Sequence, residues 1–240
     1  MEVIKVSGNH MDPYLSNNYD LSLEWYPSED AAISLAYYYK DFTGGYENVE
    51  ENRDITVSLD GVDSIYPGVT HTTRQTSDDS SVIQGIEVTA QKHFSELPYP
   101  FDGLGAKVAY NYADSSFVTA EPGSPYVVAD ANLFGFSPQV ASASVYWEGD
   151  WATFRVLYKY REQYFQPNNL PFLTRSHRYV QDSSYLDFSA NFKVTDYLSL
   201  SLKALNLLDE PQIMTRGNDT TVSHYSRSGS TYFLGAKVKF

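Results

Sequence analysis

The last twelve residues, GSTYFLGAKVKF, constrain the fold more than any other stretch of this chain. Tyr232, Leu234, Ala236, Val238 and Phe240 alternate with Phe233, Gly235, Lys237 and Lys239, and a period of two places the first set on one face of a β-strand. That face is apolar from end to end, and the other carries both lysines. A strand of this kind needs a partner for its edge. It is either the edge of a soluble sheet or the seam of a barrel whose apolar face meets lipid.

The same alternation recurs along the chain. Tyr19, Leu21, Leu23 and Trp25 oppose Asp20, Ser22 and Glu24, and after the turn Pro27-Ser28-Glu29-Asp30 the stretch 31–41 returns with Ile33, Leu35, Tyr37 and Tyr39 on one side. Further alternating stretches are 83–94, 106–114, 139–147, 151–163, 184–193 and 197–205, so about nine strands are expected with the closing one. Their connections alternate between short and long. Short ones are Glu148-Gly149-Asp150 and Val194-Thr195-Asp196, and long ones are 42–81, 115–138, 164–180 and 206–228. The stretch 42–81, with Gly44-Gly45, Pro67-Gly68 and Asp78-Asp79, reads as a long loop.

Alternation by itself is shared by soluble sandwiches and membrane barrels. Three features favour the barrel. All short turns fall at one end and all long loops at the other. Aromatics gather near strand ends, as in Trp25-Tyr26, Tyr146-Trp147 and the tyrosines at 158 and 160. The faces opposite the apolar ones carry Glu24, Lys40, Glu87, Lys107, Arg155, Lys159, Asp187 and Lys203, which suit a wet lumen. A soluble β-sandwich that binds carbohydrate through loop aromatics and a small self-contained outer-membrane barrel both stay open at this point.

Composition narrows the function. The net charge of −13 argues against a nucleic-acid partner, because phosphates are held mainly by Lys and Arg. No cysteine is available for a disulfide or a thiolate metal site. No apolar run is long enough for a transmembrane helix, and residues 1–19 lack the features of a secretory signal, so export would depend on a segment outside this sequence. His10, His71, His93, His177 and His224 are scattered without a zinc, nucleophile or phosphate motif, so no enzyme, cofactor or metal centre is expected. The acidic stretch 41–82 lacks calcium-loop spacing and reads as a solvated loop. Candidate ligand contacts are the loop aromatics Tyr126, Phe134, Phe136, Tyr164, Phe165 and Tyr225, which could stack on a solute, together with Arg175. Arg178, Arg216 and Arg227 could attract an anion or pair with nearby acids.

With these residues placed, the chain resembles the C-terminal part of a TonB-dependent receptor, an outer-membrane active transporter of Gram-negative bacteria. The resemblance rests on the pattern from Gly8 to Tyr26, Gln84-Gly85-Ile86-Glu87, Tyr158-Lys159-Tyr160-Arg161 and Tyr185-Leu186-Asp187. Most specific are Asn206-Leu207-Leu208-Asp209-Glu210-Pro211 and the closing strand. It implies an all-β, antiparallel up-and-down transmembrane barrel segment, the last nine of about 22 strands, with residues 1–240 as a partial barrel domain lacking the plug. The substrate it implies is a scarce small molecule: an iron-siderophore, vitamin B12 or an oligosaccharide. The partners it implies are outer-membrane lipid, the barrel-assembly machinery, and TonB only through the plug of a full-length protein. Tyr232, Leu234, Ala236, Val238 and Phe240 would form the signal read by that machinery. On this reading the closing strand pairs only with the strand at 197–205 and its other edge stays open.

Overall fold

The computed structural model describes residues 7–10, 12–13, 15–43, 46–76, 80–116, 135–166, 178–216 and 221–239. They form sixteen strands: β1 (Ser7–His10), β2 (Leu15–Ser28), β3 (Ala31–Thr43), β4 (Tyr46–Leu59), β5 (Val62–Thr76), β6 (Ser80–His93), β7 (Leu104–Ser116), β8 (Gln139–Glu148), β9 (Ala152–Arg161), β10 (Tyr164–Phe165), β11 (Arg178–Val180), β12 (Ser183–Lys193), β13 (Leu198–Leu205), β14 (Gln212–Arg216), β15 (Val222–Ser226) and β16 (Thr231–Val238). Nine of them make one antiparallel sheet in the order β16-β13-β12-β9-β8-β7-β6-β3-β2. These are the nine strands expected from the alternation. The sheet is not closed: among the described residues β16 pairs only with β13 and β2 only with β3. Phe240 lies outside the described residues.

Register turns the period of two into two continuous surfaces. Trp25, Ile33, Ala90, Val108, Ala143, Tyr158 and Leu186 stand directly opposite one another across seven strands. Ala190, Leu202 and Leu234 carry the same surface on to β16. One residue along, the row is Glu24, Ser34, Thr89, Ala109, Ser142, Lys159 and Tyr185. The first surface is exposed, with Leu21 at 73% and Leu234 at 83% of full accessibility. In water, so extended an apolar surface would be an aggregation site. Facing hydrocarbon it is stable, and the seven internal strands satisfy their backbone groups through neighbours on both sides, as lipid requires.

The short connections lie at one end and are tied together. His93 N donates to Asp30 O at 2.9 Å, Lys193 N to Trp151 O at 2.8 Å, and Lys239 N to Tyr197 O at 2.9 Å. Just above them on the apolar face, Trp147, Trp151, Phe154 and Phe192 pack ring to ring with centroids 5.5–6.2 Å apart. The Trp147 Nε1 donates to the Pro100 carbonyl at 2.5 Å. At the opposite end, tyrosines mark the other boundary: Tyr19 packs on Tyr39, and Tyr110 and Tyr158 direct their hydroxyls to Gln139 and Ser184. Amphipathic rings at both ends of the strands are an interfacial girdle.

On the polar face, Gly105 has a packing role. Its lack of a side chain leaves room for the Tyr146 ring, which a Cβ at this position would strike. Tyr146 there stacks with His93 at 6.3 Å and lies beneath the Arg155 guanidinium at 5.6 Å.

The stretch 42–81 departs from the loop reading. It contains the hairpin β4–β5, paired from Tyr46↔Thr76 to Leu59↔Val62, with β1 added in parallel to β5. The turn is Asp60-Gly61, both at positive φ, 51° and 78°. Two left-handed residues match the twist of the flanking strands. The hairpin stands apart from the nine-strand sheet as a three-stranded sheet of its own.

Two predictions follow from these surfaces. Val108→Arg, on the apolar face between the level of Trp147 and that of Tyr110, lowers stability by about 2–4 kcal/mol, the cost of a cation near the bilayer midplane, whereas Thr89→Arg on the polar face is tolerated; urea unfolding in lipid vesicles and the amount of folded protein in the outer membrane report the difference. Gly105→Ala displaces Tyr146 and costs about 1–3 kcal/mol by overpacking, read as a lower urea midpoint that Gly105→Ala combined with Tyr146→Ala restores in part.

Candidate ligand-binding rim

At the long-loop end, the polar face rises into a second set of elements. Their anchor is the turn after β13. Asn206 and Asp209 adopt φ of 54° and 53°, a left-handed conformation that Asn and Asp tolerate better than most residues. The Asn206 amide brackets Glu210: Oδ1 accepts from Glu210 N at 2.9 Å and Nδ2 donates to Glu210 O at 3.2 Å. Asn206 N donates to Asp187 Oδ1 at 3.0 Å, and Asp187 Oδ2 pairs with Lys159 Nζ at 2.7 Å. Glu210 Oε1 accepts from Ser184 N at 3.3 Å, and Asn206 O accepts from Ser230 Oγ at 2.8 Å. The turn is thereby fixed to β9, β12 and the approach to β16. Arg227 is paired with Asp209, whose carboxylate holds the guanidinium more firmly protonated than usual.

Held on this anchor is a four-stranded sheet, β10-β11-β14-β15, assembled from the last two long connections. Its interior is small. Phe165, 8% exposed, packs edge-on against Tyr179 at 5.7 Å, and fully buried Thr215 accepts from Gln181 Nε2 at 2.8 Å. Between this sheet and the wall lies a cavity of about 500 Å³, with Ser142, Lys159 and Tyr185 on the wall side and Tyr164, Gln181 and Gln212 on the loop side. Arg161, also lining it, holds its guanidinium carbon 3.9 Å from the centre of the Tyr164 ring and donates to Ser137 Oγ and Gly135 O, both at 2.6 Å. Three tyrosines, two cations, two amides and two serines among the lining residues suit a solute that carries both rings and negative oxygens. A second hollow of about 530 Å³ lies farther round the wall, lined by Tyr38, Lys40, Glu87 and Phe136.

A family model described as TonB dependent receptor-like, beta-barrel, matches residues 4–207. The chain belongs to this family. Among solved structures, it is similar to the ferric enterobactin receptor PfeA of Pseudomonas aeruginosa (16% identity, 95% of this chain and 31% of that one, TM-score 0.60). It is also similar to the FrpB iron transporter of Neisseria meningitidis (13% identity, 99% and 32%, TM-score 0.59). A third similar structure is the copper transporter OprC (14% identity, 96% and 32%, TM-score 0.58). At these identities the likeness is one of fold. No curated protein matches the sequence. The chain spans about a third of the length of these solved receptors. Family members are transporters, not enzymes, and sit in the Gram-negative outer membrane, so the apolar face of this TonB-dependent receptor barrel is its lipid face.

The expected contact residues separate in the structure. Tyr164 lines the first cavity and Phe136 the second. Phe165 is packed inside the loop sheet, and Tyr225, on β15, is 56% exposed and lines neither cavity. Tyr126, Phe134 and Arg175 lie outside the described residues. Arg178 and Arg216 stand directly opposite each other without an ion pair among the described residues. In the acidic stretch, Asp54 accepts from Gly68 N at 2.9 Å, and among the described residues no three His, Asp or Glu side chains converge as a metal site would require. Arg161, Tyr185, Gln181 and Gln212 were not singled out as contacts. Only the Tyr158-Lys159-Tyr160-Arg161 run, with cations two apart on one face, signals two of the cavity's groups in advance.

Asn206→Ala removes both hydrogen bonds to Glu210, and at about 1 kcal/mol for each lost bond the turn loosens; amide exchange over 206–216 is expected to accelerate about tenfold or more while exchange in β12 stays unchanged.

Proposed function

We propose that this chain is the C-terminal wall and outer rim of a TonB-dependent receptor that takes up a scarce solute, with residues 1–240 as the last nine strands of its barrel. The observation that carries this reading is the unbroken lipid face across nine strands, backed by a polar face that ends in a cavity beneath a loop sheet. In the whole receptor, the rim captures the solute and TonB, acting through the plug, drives its release across the membrane. Among the substrates open to the family, an iron chelate is favoured. The cavity offers tyrosine faces beside Lys159 and Arg161, and two of the similar structures are named for ferric enterobactin and iron. Tyr232, Leu234, Ala236, Val238 and Phe240 would serve as the signal for barrel assembly.

The test is uptake by a Gram-negative host that lacks its own iron-chelate receptors and makes the full receptor. Radio-iron-loaded enterobactin is expected to enter only when TonB is present, with cyanocobalamin and maltodextrin excluded. Tyr164→Ala or Arg161→Ala is expected to raise the half-saturation concentration on the order of tenfold, as for a contact worth about 1.4 kcal/mol. Uptake of cyanocobalamin or maltodextrin in place of the iron chelate would sink the substrate assignment, and TonB-independent entry would sink the receptor reading.

A further inference from the structure

The polar face is not uniformly polar. On β2, β3 and β6 its charged groups are Asp20, Glu24, Glu87 and Lys40, with acids in the majority. From β7 to β16 the balance reverses, in a chain whose net charge is −13. Lys107, Arg155, Lys159, Arg161, Lys203 and Lys237 all point to this face, because each stands in register with another of its residues. Among the described residues, the carboxylates on this part of the face are Asp187, already paired with Lys159, and Glu148 at the short-turn end.

The cations are spread along the strand direction. Arg161 stands opposite Ser183, Lys159 opposite Tyr185, and Lys107 reaches the Asp187 level through Ser144 and Leu157. Arg155 and Lys203 flank Ser189 from either side, and Lys237 reaches the Lys193 level through Ser199. From Ser183 to Lys193 this covers about 33 Å of strand at about 3.3 Å per residue, which at the roughly 35–45° tilt of barrel strands spans about 25 Å, the height of a barrel's apolar band. Three of the cations sit on tyrosine rings: Arg161 on Tyr164, Lys159 on Tyr185 and Arg155 on Tyr146. Such seats hold a cation in place without neutralising it. Lys107, Arg155, Lys203 and Lys237 are exposed and without an ion pair among the described residues.

We infer that this half of the wall is a ladder for an anionic solute, one bearing carboxylate, phosphate or catecholate oxygens, which leads from the rim cavity to the short-turn end. The inference rests on the receptor reading and adds to it a sign of charge and a path. A solute with several negative oxygens, freed from the rim, exchanges one cation for the next at spacings of two strand residues between the Ser183 and Ser189 levels, where a low-dielectric wall strengthens each attraction. A neutral solute gains nothing from this face.

The experiment uses the full receptor and the triple variant Lys107→Gln/Arg155→Gln/Lys203→Gln, none of which lines the rim cavity. In planar bilayers under a KCl gradient, with the lumen opened by urea, the variant is expected to lose anion-over-cation permeability by about threefold or more. An unchanged ratio overturns the proposal, since carboxylates elsewhere in the receptor would then already neutralise the ladder. In cells, TonB-dependent uptake of radio-iron-loaded enterobactin is expected to fall about tenfold at equal receptor amount and equal surface binding, which is about 1.4 kcal/mol on the limiting step; uptake at the wild-type rate also overturns it. A wild-type receptor that takes up no iron chelate would defeat the substrate reading alone, because the permeability ratio does not depend on the solute carried. Should the triple variant assemble poorly, Lys203→Gln against Lys203→Arg gives the same comparison with one charge, and only the former is expected to shift the ratio.

Discussion

The whole structure depends on backbone pairing between neighbouring strands. A strand in hydrocarbon has no water for its N–H and C=O groups, so each must be met by the strand beside it. The nine-strand order β16-β13-β12-β9-β8-β7-β6-β3-β2 meets this on both sides of every strand but the first and last. Once pairing is in register, side-chain alternation does the rest. Leu35, Val88 and Tyr110 meet on one face because Ala36, Glu87 and Asn111 meet on the other, and a slip of one residue would bring Glu87 to lipid.

What lies beyond the membrane obeys a different economy. There the backbone can turn to water, and structure is held by a few specific side chains. Asn206 is the clearest example: its left-handed backbone turns the chain, its amide closes on Glu210, and its N–H reaches Asp187. Through Lys159 the same cluster joins the lumen wall to the loop sheet. Lys159 and Tyr185 belong at once to that cluster, to the rim cavity and to the cationic half of the wall. The wall, the loop anchor and the candidate binding site are thus one connected set of contacts.

The nine wall strands were legible because each has to separate lipid from water, which forces a period of two on residues such as Leu198, Leu200, Leu202 and Ala204. The β4–β5 hairpin was not. Its run Glu50, Glu51, Asn52, Arg53 and Asp54 is exposed on both faces, so nothing imposes alternation. The signal that marks it is local: Asp60-Gly61 between Leu59 and Val62, the sequence of a tight hairpin turn. The loop sheet left no comparable trace. β10, β11 and β14 are two to five residues long, too short for a period, and they meet only through distant pairings such as Tyr164 with Val180 and Arg178 with Arg216.

The closing strand makes the division plain. By itself the sequence determined which of its side chains share a face, since Tyr232, Leu234, Ala236 and Val238 must lie together in any extended chain. It also determined the order of short and long connections, hence an up-and-down meander with loops at one end. Only the tertiary structure decided what those faces meet: Leu202 opposite Leu234, Lys203 beside Arg155 across Ser189, and Tyr164 beneath Arg161. The physical reason is the range of the interactions. Alternation is fixed within a few residues by backbone geometry, whereas register, the rim cavity and the segregation of cations onto one half of the wall arise from pairings between segments far apart in the chain.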